Sequence, residues 1–570
     1  MAEEKEESVK MPVISINKKY LVSLFPESAT QEEIMSHIEK FGCSIEAETA
    51  DTINVEVSPN RPDLFGAVGL ARSLKNFMHK SRKYSYSIKD GNTYLSIEVG
   101  RRVLKIRPFI SAFVAMGTSF SDDSLADLIN FTEKLCETYG RSRKKMAVGL
   151  HDLDKISGEL TYDAYPDDKF VRLGGEGEEF FSEVIKNTEK GSKYSDIIEN
   201  AEGLFPALKD SKGTISLIPI LNSERTRTTT KTRNIFVDIT GIDGETIDNA
   251  ADLISTVLMD AGAEVRPVEI SRGSKKKVTP QLRHRELFIQ SRMAENEIGV
   301  RVGPQNIVSL GNKMGYEAAV VGNRIRFTVP PYRMDVFNEQ DIIEDIAIGY
   351  GYDYIQPVPI PSSTAGQLDP RMVFFREASE AMLGLGFTES MSTFLSSEES
   401  NFADFRIGDY KETFGSDFDY VKLKNAKSQS ITMMRTWIMP SLMKAIGASR
   451  HEAMPQRLFE LDMVFWTERG KPVERNHLAA IYVDSKSNFN SIKAAAEALL
   501  EWADLEMEVE RADHSGFIEG RCAAIVWKGK KIGILGEMHP ETLRNFGVEE
   551  PASAFEIDID GVFEASRRPV

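Results

Sequence analysis

The chain has 570 residues, 41% hydrophobic and 28% charged, with a formal charge of −17. At about 150 residues per domain that length predicts three to five domains of ordinary globular composition, and the acidic balance gives no support for general nucleic-acid binding. No apolar run reaches the ~18 residues of a membrane span; Cys43, Cys136 and Cys522 are too scattered for a disulfide framework or a cysteine zinc site.

The N-terminus, MAEEKEESVK, is polar and lacks an apolar signal core; the few scattered cysteines fit a reducing cytoplasm. Residues 34–71 then read as a helical pattern, Gly42, an alternating strand, V-x-P-x-R-x-D and a second helix. The same order recurs at 307–347 around Gly315. Pro59, Arg61 and Asp63 match Pro331, Arg333 and Asp335. Two copies are too few for a solenoid and suggest a duplicated small helix–strand–helix module.

The middle of the chain mixes strands and helices. The strand ISAFVAMG (110–117) precedes a helix over Ser124–Tyr139, capped by Ser121 and Asp122. A basic stretch, RSRKK (141–145), leads into AVGLHDLD. There His151 reads either as a general base or as a structural histidine, with no nucleophile motif beside it. Arg172–Glu179 (RLGGEGEE) is expected to be a mobile loop.

Two apolar strands follow, GTISLIPIL and NIFVDITG, ending at polar residues: Asn222 and Ser223 in one, Asp238 and Thr240 in the other. Asp238 and Thr240 are two apart, so they point to one side of a strand. They read as a pocket floor or as strand-end capping. Between the strands lies RTRTTTKTR (225–233). With Arg266, Arg272, Lys275, Lys276, Lys277, Arg283 and Arg285 it offers basic runs for phosphate contact or a solvated face.

The second module copy contains VPPYRMDVFNEQDIIEDIAIGYGYD. Asn338 suits an N-cap, and Gly349 and Gly351 suit the helix end. Asp341, Glu344 and Asp345 fall at i, i+3 and i+4 on one helix face, with Asp335 just before it. Carboxylates ~6 Å apart repel by about 3 kcal/mol at an effective dielectric near 20. Acids in a first turn complement the helix dipole; if another surface covers them, a hard cation such as Mg²⁺ is the natural compensation. The first copy has Gly69, Arg72 and Ser73 at the equivalent positions, so the acidic face is not a requirement of the module.

After a Pro/Ser/Gly linker (357–370), the last part reads as a helix (372–385), a strand (388–395), a helix near Pro440 and a strand 457–466. Strand HLAAIYV, a helix at 490–503 and strands RCAAIVWKG, KKIGILGEM and AFEIDID complete it. This predicts an α+β domain on a largely antiparallel sheet, within an α+β multidomain chain. No G-x-x-x-x-G-K-[ST], G-x-G-x-x-G or H-E-x-x-H pattern occurs.

Five blocks, in order, carry a family resemblance: VSPNRPDLFGAVGLAR, NSERTRTTTKTRNIFVDITG, VPPYRMDVFNEQDIIEDIAIGYGYD, MMRTWIMPSLMKAI with MPQRLFELDMVF, and GILGEMHPETLRNFGVEEPASAFEIDI. The chain resembles the β subunits of phenylalanyl-tRNA synthetases of the archaeal and eukaryotic-cytosolic type, over nearly its whole length. The resemblance implies domains at 1–85 (first module copy), 86–268 (a B3/B4-like mixed α/β editing domain), 269–360 (B5-like, second copy) and 361–570. The last is a class II synthetase-like domain without its active site, since the expected arginine after AFEIDID is missing and Arg567 and Arg568 come late.

The resemblance also implies an α₂β₂ tetramer whose α subunit aminoacylates tRNA-Phe with ATP, with no catalytic residue for aminoacylation here. Asp238 and Thr240, with Asn222 and Ser223 placed by proximity, would line a pocket hydrolysing mischarged Tyr-tRNA-Phe. Asp335, Asp341, Glu344 and Asp345 would bind Mg²⁺ shared with the α subunit, Asp345 being one methylene shorter than the family's usual Glu. Arg435 and Met439–Met443 would be packing residues. The longer bacterial chains' inserted OB-fold and C-terminal anticodon-binding domain have no room here, which leaves the basic runs as tRNA-contact candidates. The alternative is a non-editing tRNA-binding or scaffold paralogue.

Overall fold

A computed structural model describes residues 11–78, 86–88, 93–198, 203–360, 362, 364–408, 417–426, 428 and 430–566. The chain divides into two compact units, one ending at Pro359 and the other beginning at Ile360. It is an α+β chain with several separate sheets.

The first unit begins with a three-stranded antiparallel sheet, in which Thr52–Glu56 lies between Val13–Asn17 and Ser44–Glu48. Ile53 and Val55 alternate into the core, as a strand with one buried face requires. Helices Gln31–Lys40 and Ala67–Phe77 flank it. Near the unit's end Arg324–Val329 lies in the same way between Arg285–Ile289 and Glu317–Val321, with helices Pro304–Lys313 and Glu339–Tyr350. Where the sequence pattern predicts one strand, each of these stretches folds a two-stranded hairpin. Gly42 (φ 97°) and Gly315 (φ 92°) follow the first helix of each, in the left-handed region glycine enters without strain.

The paired Arg-x-Asp motifs have the same local geometry. Arg61 grips Asp63 with two hydrogen bonds of 2.9 Å, and Arg333 grips Asp335 at 2.9 and 2.7 Å. The two pairs also approach each other, with Arg61 Nε 4.0 Å from Asp335 Oδ2.

Between these two small sheets in the chain lies a ten-stranded mixed sheet. Its path runs Leu221–Asn222, Gly213–Leu217, Phe205–Asp210, Leu160–Tyr165, Leu95–Val99, Glu264–Arg272, Phe109–Met116, Asn234–Gly241, Met146–Asp152, with Lys275–Thr279 beside Glu264–Arg272. The expected boundary at 268 therefore needs correction. It cuts a strand, and the sheet's pairing carries this body to Thr279. Helix Asp122–Glu137 starts earlier than expected because Ser121 alone is the N-cap. The expected mobile loop at 172–179 is the turn of a hairpin, Lys169–Val171 with Glu178–Phe180, tied down by Gly174 N–H to Glu224 (2.8 Å). The ends of the sheet path return to each other, Asn222 Nδ2 donating to Leu150 O at 3.3 Å.

The second unit holds an eight-stranded sheet, antiparallel except where Thr388–Glu389 joins Gln456–Glu468 in parallel. Thr388–Glu389 is much shorter than the predicted strand at 388–395. Helices Pro370–Gly384 and Phe489–Trp502 pack Phe374, Ala378, Ile492 and Leu499 against one sheet face. Helix Met439–Ala448 packs Met439, Leu442 and Met443 against the other, as core residues. Arg435 is fully buried. Its guanidinium donates to Glu460 (2.5 Å), Ser392 Oγ (2.8 Å) and Met463 O (3.0 Å).

Candidate functional site

The closing of the middle sheet on itself creates a recess. Strand Asn234–Gly241 pairs antiparallel with Met146–Asp152, placing Asp238 opposite Gly149 and Thr240 opposite Ala147. Directly opposed residues face one side, so Asp238 and Thr240 share a wall with Ala147 and Gly149. All four line the recess, which is bounded across the closure by Asn222 and on its flank by Glu133 and Arg143. Of the four residues expected there, Ser223 does not line it. It is buried beneath the 172–179 turn, donating to Val171 O and accepting from Arg225 N–H.

Each polar group in the recess is held from behind. Thr240 Oγ accepts from Arg107 Nε at 3.1 Å, and its carbonyl accepts from the same guanidinium at 2.8 Å. Asp238 Oδ1 lies 2.9 Å from His151 Nε2. Asn222 Oδ1 accepts from Ser216 Oγ at 2.9 Å. Glu133 sits between two cations, 2.6 Å from both Arg143 and Lys190. Burial opposes its charge, but Arg143 and Lys190 hold its carboxyl below the usual range.

Arg143 reaches the recess from three successive non-glycine residues, Arg141, Ser142 and Arg143, all with φ between 48° and 65°. Such residues cost roughly 1–2 kcal/mol each, so the surrounding contacts must enforce the turn. Sequence reasoning missed Arg107, Glu133 and Arg143. Their positions depend on strand pairings distant in sequence, and the only available signal was the basic stretch 141–145.

The acidic stretch is arranged differently from its expectation. Asn338 is the N-cap of helix Glu339–Tyr350, and Asp341 Oδ2 reaches back to the N–H groups of Phe337 (2.6 Å) and Asn338 (2.8 Å). Asp345 is buried, taking Arg333 at 2.6 Å and the Tyr316 hydroxyl. The same Arg333 binds Asp335. Burial works against the Arg333 charge, yet Asp345, Tyr316 and Asp335 push its pKa well above the usual guanidinium range. Glu344 is exposed.

Among the described residues no three His, Cys, Asp or Glu side chains are placed to hold a metal ion. As arranged in this chain the four carboxylates do not fit a common Mg²⁺. One is a cap, and the compensating cation of two others is an arginine.

Three family models match in chain order: a B3/4 domain over residues 101–257, a tRNA synthetase B5 domain over 288–352, and a phenylalanyl tRNA synthetase beta chain CLM domain over 356–559. The mixed sheet with its recess, the acidic-helix module and the antiparallel unit thus belong together as parts of an aminoacyl-tRNA synthetase subunit. The chain is 35% identical over 559 residues to the phenylalanine–tRNA ligase beta subunit of Archaeoglobus fulgidus, covering 97% of this chain and 99% of that one. It is 32% identical over 565 residues to the protein of the same name from Methanocaldococcus jannaschii, with 96% and 100% covered. A solved N-terminal fragment of the Pyrococcus horikoshii phenylalanyl-tRNA synthetase beta subunit matches 60% of this chain and all of that fragment, at 30% identity and a TM-score of 0.57. The chain belongs to the phenylalanine–tRNA ligase β-subunit family.

Proposed function

We propose that the chain is the non-synthetic subunit of a phenylalanine–tRNA ligase, which joins L-phenylalanine to tRNA-Phe with ATP. Full-length similarity to archaeal β subunits carries this reading. The catalytic site for ATP and phenylalanine lies on an α subunit, with which this chain forms an α₂β₂ tetramer in the cytoplasm. In the second unit, helix Ile559–Ala565 follows strand Ala552–Asp558 and carries Asp560, not an arginine; Asp560 binds Arg371 (2.5 Å) and Asn476 N–H (2.7 Å). Arg567 and Arg568 lie outside the described residues. The first and third domains are copies of one module, a reading supported by their common strand order.

The recess is the editing site, hydrolysing mischarged Tyr-tRNA-Phe. An apolar synthetic pocket rejects an added hydroxyl only by roughly 10²-fold, so a second site is needed for fidelity. Asp238, Thr240 and Asn222 supply acceptors and donors to a bound tyrosine, Asp238 taking its phenolic hydroxyl. Ser223 supports the rim from beneath. The basic runs contact tRNA, although Arg225, Lys276 and Lys277 are already paired with Asp210, Glu269 and Asp248. A Mg²⁺ shared with the α subunit would find Glu344 as the exposed carboxylate of the set, near Tyr352.

Replacing Asp238 by Ala is expected to raise Tyr-tRNA-Phe accumulation during charging; unchanged deacylation in that variant removes Asp238 from the site. The native mass of the chain purified from its own cells, with every co-purifying chain identified, tests the assembly. A complex of two copies with two class II synthetase chains supports it. A lone monomer or homodimer favours the non-editing scaffold paralogue.

A further inference from the structure

His151 and Thr226 are both wholly buried. His151 lies on strand Met146–Asp152, two residues after Gly149, so it faces the same side as Gly149 and its partner Asp238. The missing side chain at 149 lets imidazole and carboxylate meet diagonally. A Cβ there would lie 2.2 Å from Asp238 Oδ1 and 2.8 Å from His151 Nε2.

On its other side the ring places Nδ1 2.9 Å from Thr226 Oγ. That hydroxyl's alternative acceptor, Ser223 O, is 3.5 Å away, at the outer limit of a hydrogen bond. Thr226 therefore donates to Nδ1, and the ring carries its proton on Nε2, where it donates to Asp238 Oδ1. Among the described residues Asp238 Oδ2 has no hydrogen-bond partner, and the side chain lines the recess.

We propose that His151 is a positioning residue for Asp238. The Thr226–His151 pair occupies Oδ1 and so presents Oδ2 to the side-chain hydroxyl of the amino acid bound in the recess. The proposal rests on the reading of the recess as the editing site, and it assigns the tyrosine-over-phenylalanine preference of that site to a three-residue chain. His151 touches no substrate and takes no proton from it. A carboxylate free to rotate would satisfy itself with water and lose its directional preference.

The test uses the purified complex and measures hydrolysis of Tyr-tRNA-Phe and Phe-tRNA-Phe side by side. His151→Leu removes the hydrogen bond to Asp238, and the Tyr/Phe ratio of kcat/KM is expected to fall by about 10- to 100-fold. His151→Gln, whose amide can accept from Thr226 and donate to Asp238, is expected to restore most of that ratio. In an Asp238→Ala background His151→Leu should add nothing, because the two act as one unit. Should His151→Leu fail to fold, Thr226→Val removes only the partner that sets the tautomer and is expected to lower the ratio several-fold.

An equal loss for both substrates, or an effect that multiplies with that of Asp238→Ala, would mean a purely structural histidine and overturns the proposal alone. Absence of Tyr-tRNA-Phe hydrolysis in the unmodified complex overturns the editing reading, and the proposal with it.

Discussion

At the scale of single residues, the recess depends on what is absent as much as on what is present. A methyl group at Gly149 would collide with both Asp238 and His151. Gly149→Ala is expected to displace the carboxylate, lower Tyr-tRNA-Phe hydrolysis and cost about 1–3 kcal/mol as overpacking. Deacylation assays and urea unfolding read the two effects separately. Arg333 offers a second residue-scale test. Asp345→Ala leaves a buried guanidinium with Asp335 as its remaining carboxylate partner, and breaking a buried pair costs about 3–5 kcal/mol. If Arg333 is the compensating cation, EDTA should leave the urea midpoint of the unmodified chain unchanged. A chelator-dependent loss would instead show that an ion binds these carboxylates.

At the scale of elements, local rules and tertiary packing divide the work. Helix Glu339–Tyr350 was legible in the sequence because its cap, first-turn acid and terminal glycine are local signals. Asn338→Ala is expected to cost about 1 kcal/mol, seen as a lower urea midpoint. The roles of its acids were not legible. Spacing puts Asp341, Glu344 and Asp345 on one face, but Arg333 and Tyr316 claim Asp345 from outside the helix.

A second element-scale test concerns His514, which packs against Trp437 and Phe517. Burial pushes its imidazole down to about 4, and its Nδ1 accepts from Gly516 N–H at 3.1 Å. A folded pKa below the free value of ~6.5 means the contribution is complete above pH ~6.5 and is lost as pH falls toward about 4. His514→Asn keeps an acceptor near that N–H and cannot titrate. The stability of the variant should fall less than that of the unmodified chain between pH 6.5 and 4, as followed by urea midpoints.

At the scale of the whole molecule, the division at Pro359 falls in the stretch that composition marks as a linker, with Val358 and Ile360 widely exposed. Limited proteolysis should cut first near residues 357–369 and leave two folded fragments. Retention of an intact chain under conditions that cleave other loops would show the linker to be covered in the complex. No helix among the described residues is long and apolar enough to cross a membrane.

The sequence by itself determined the α+β class, the recurrence of the Arg-x-Asp motif, the largely antiparallel last sheet and the family. These rest on periodicity, capping and turn chemistry, which act over a few residues, and on motif blocks that need no folding to be read. Only the tertiary structure decided the surroundings of the candidate site residues. Asp238 meets His151, 87 positions earlier in the chain, and Thr226 completes that contact from a loop. Asp345 loses its availability to Arg333 in the same way. Both outcomes depend on which strands and loops the chain brings together, and pairing across long separations leaves no local pattern in the residues that take part.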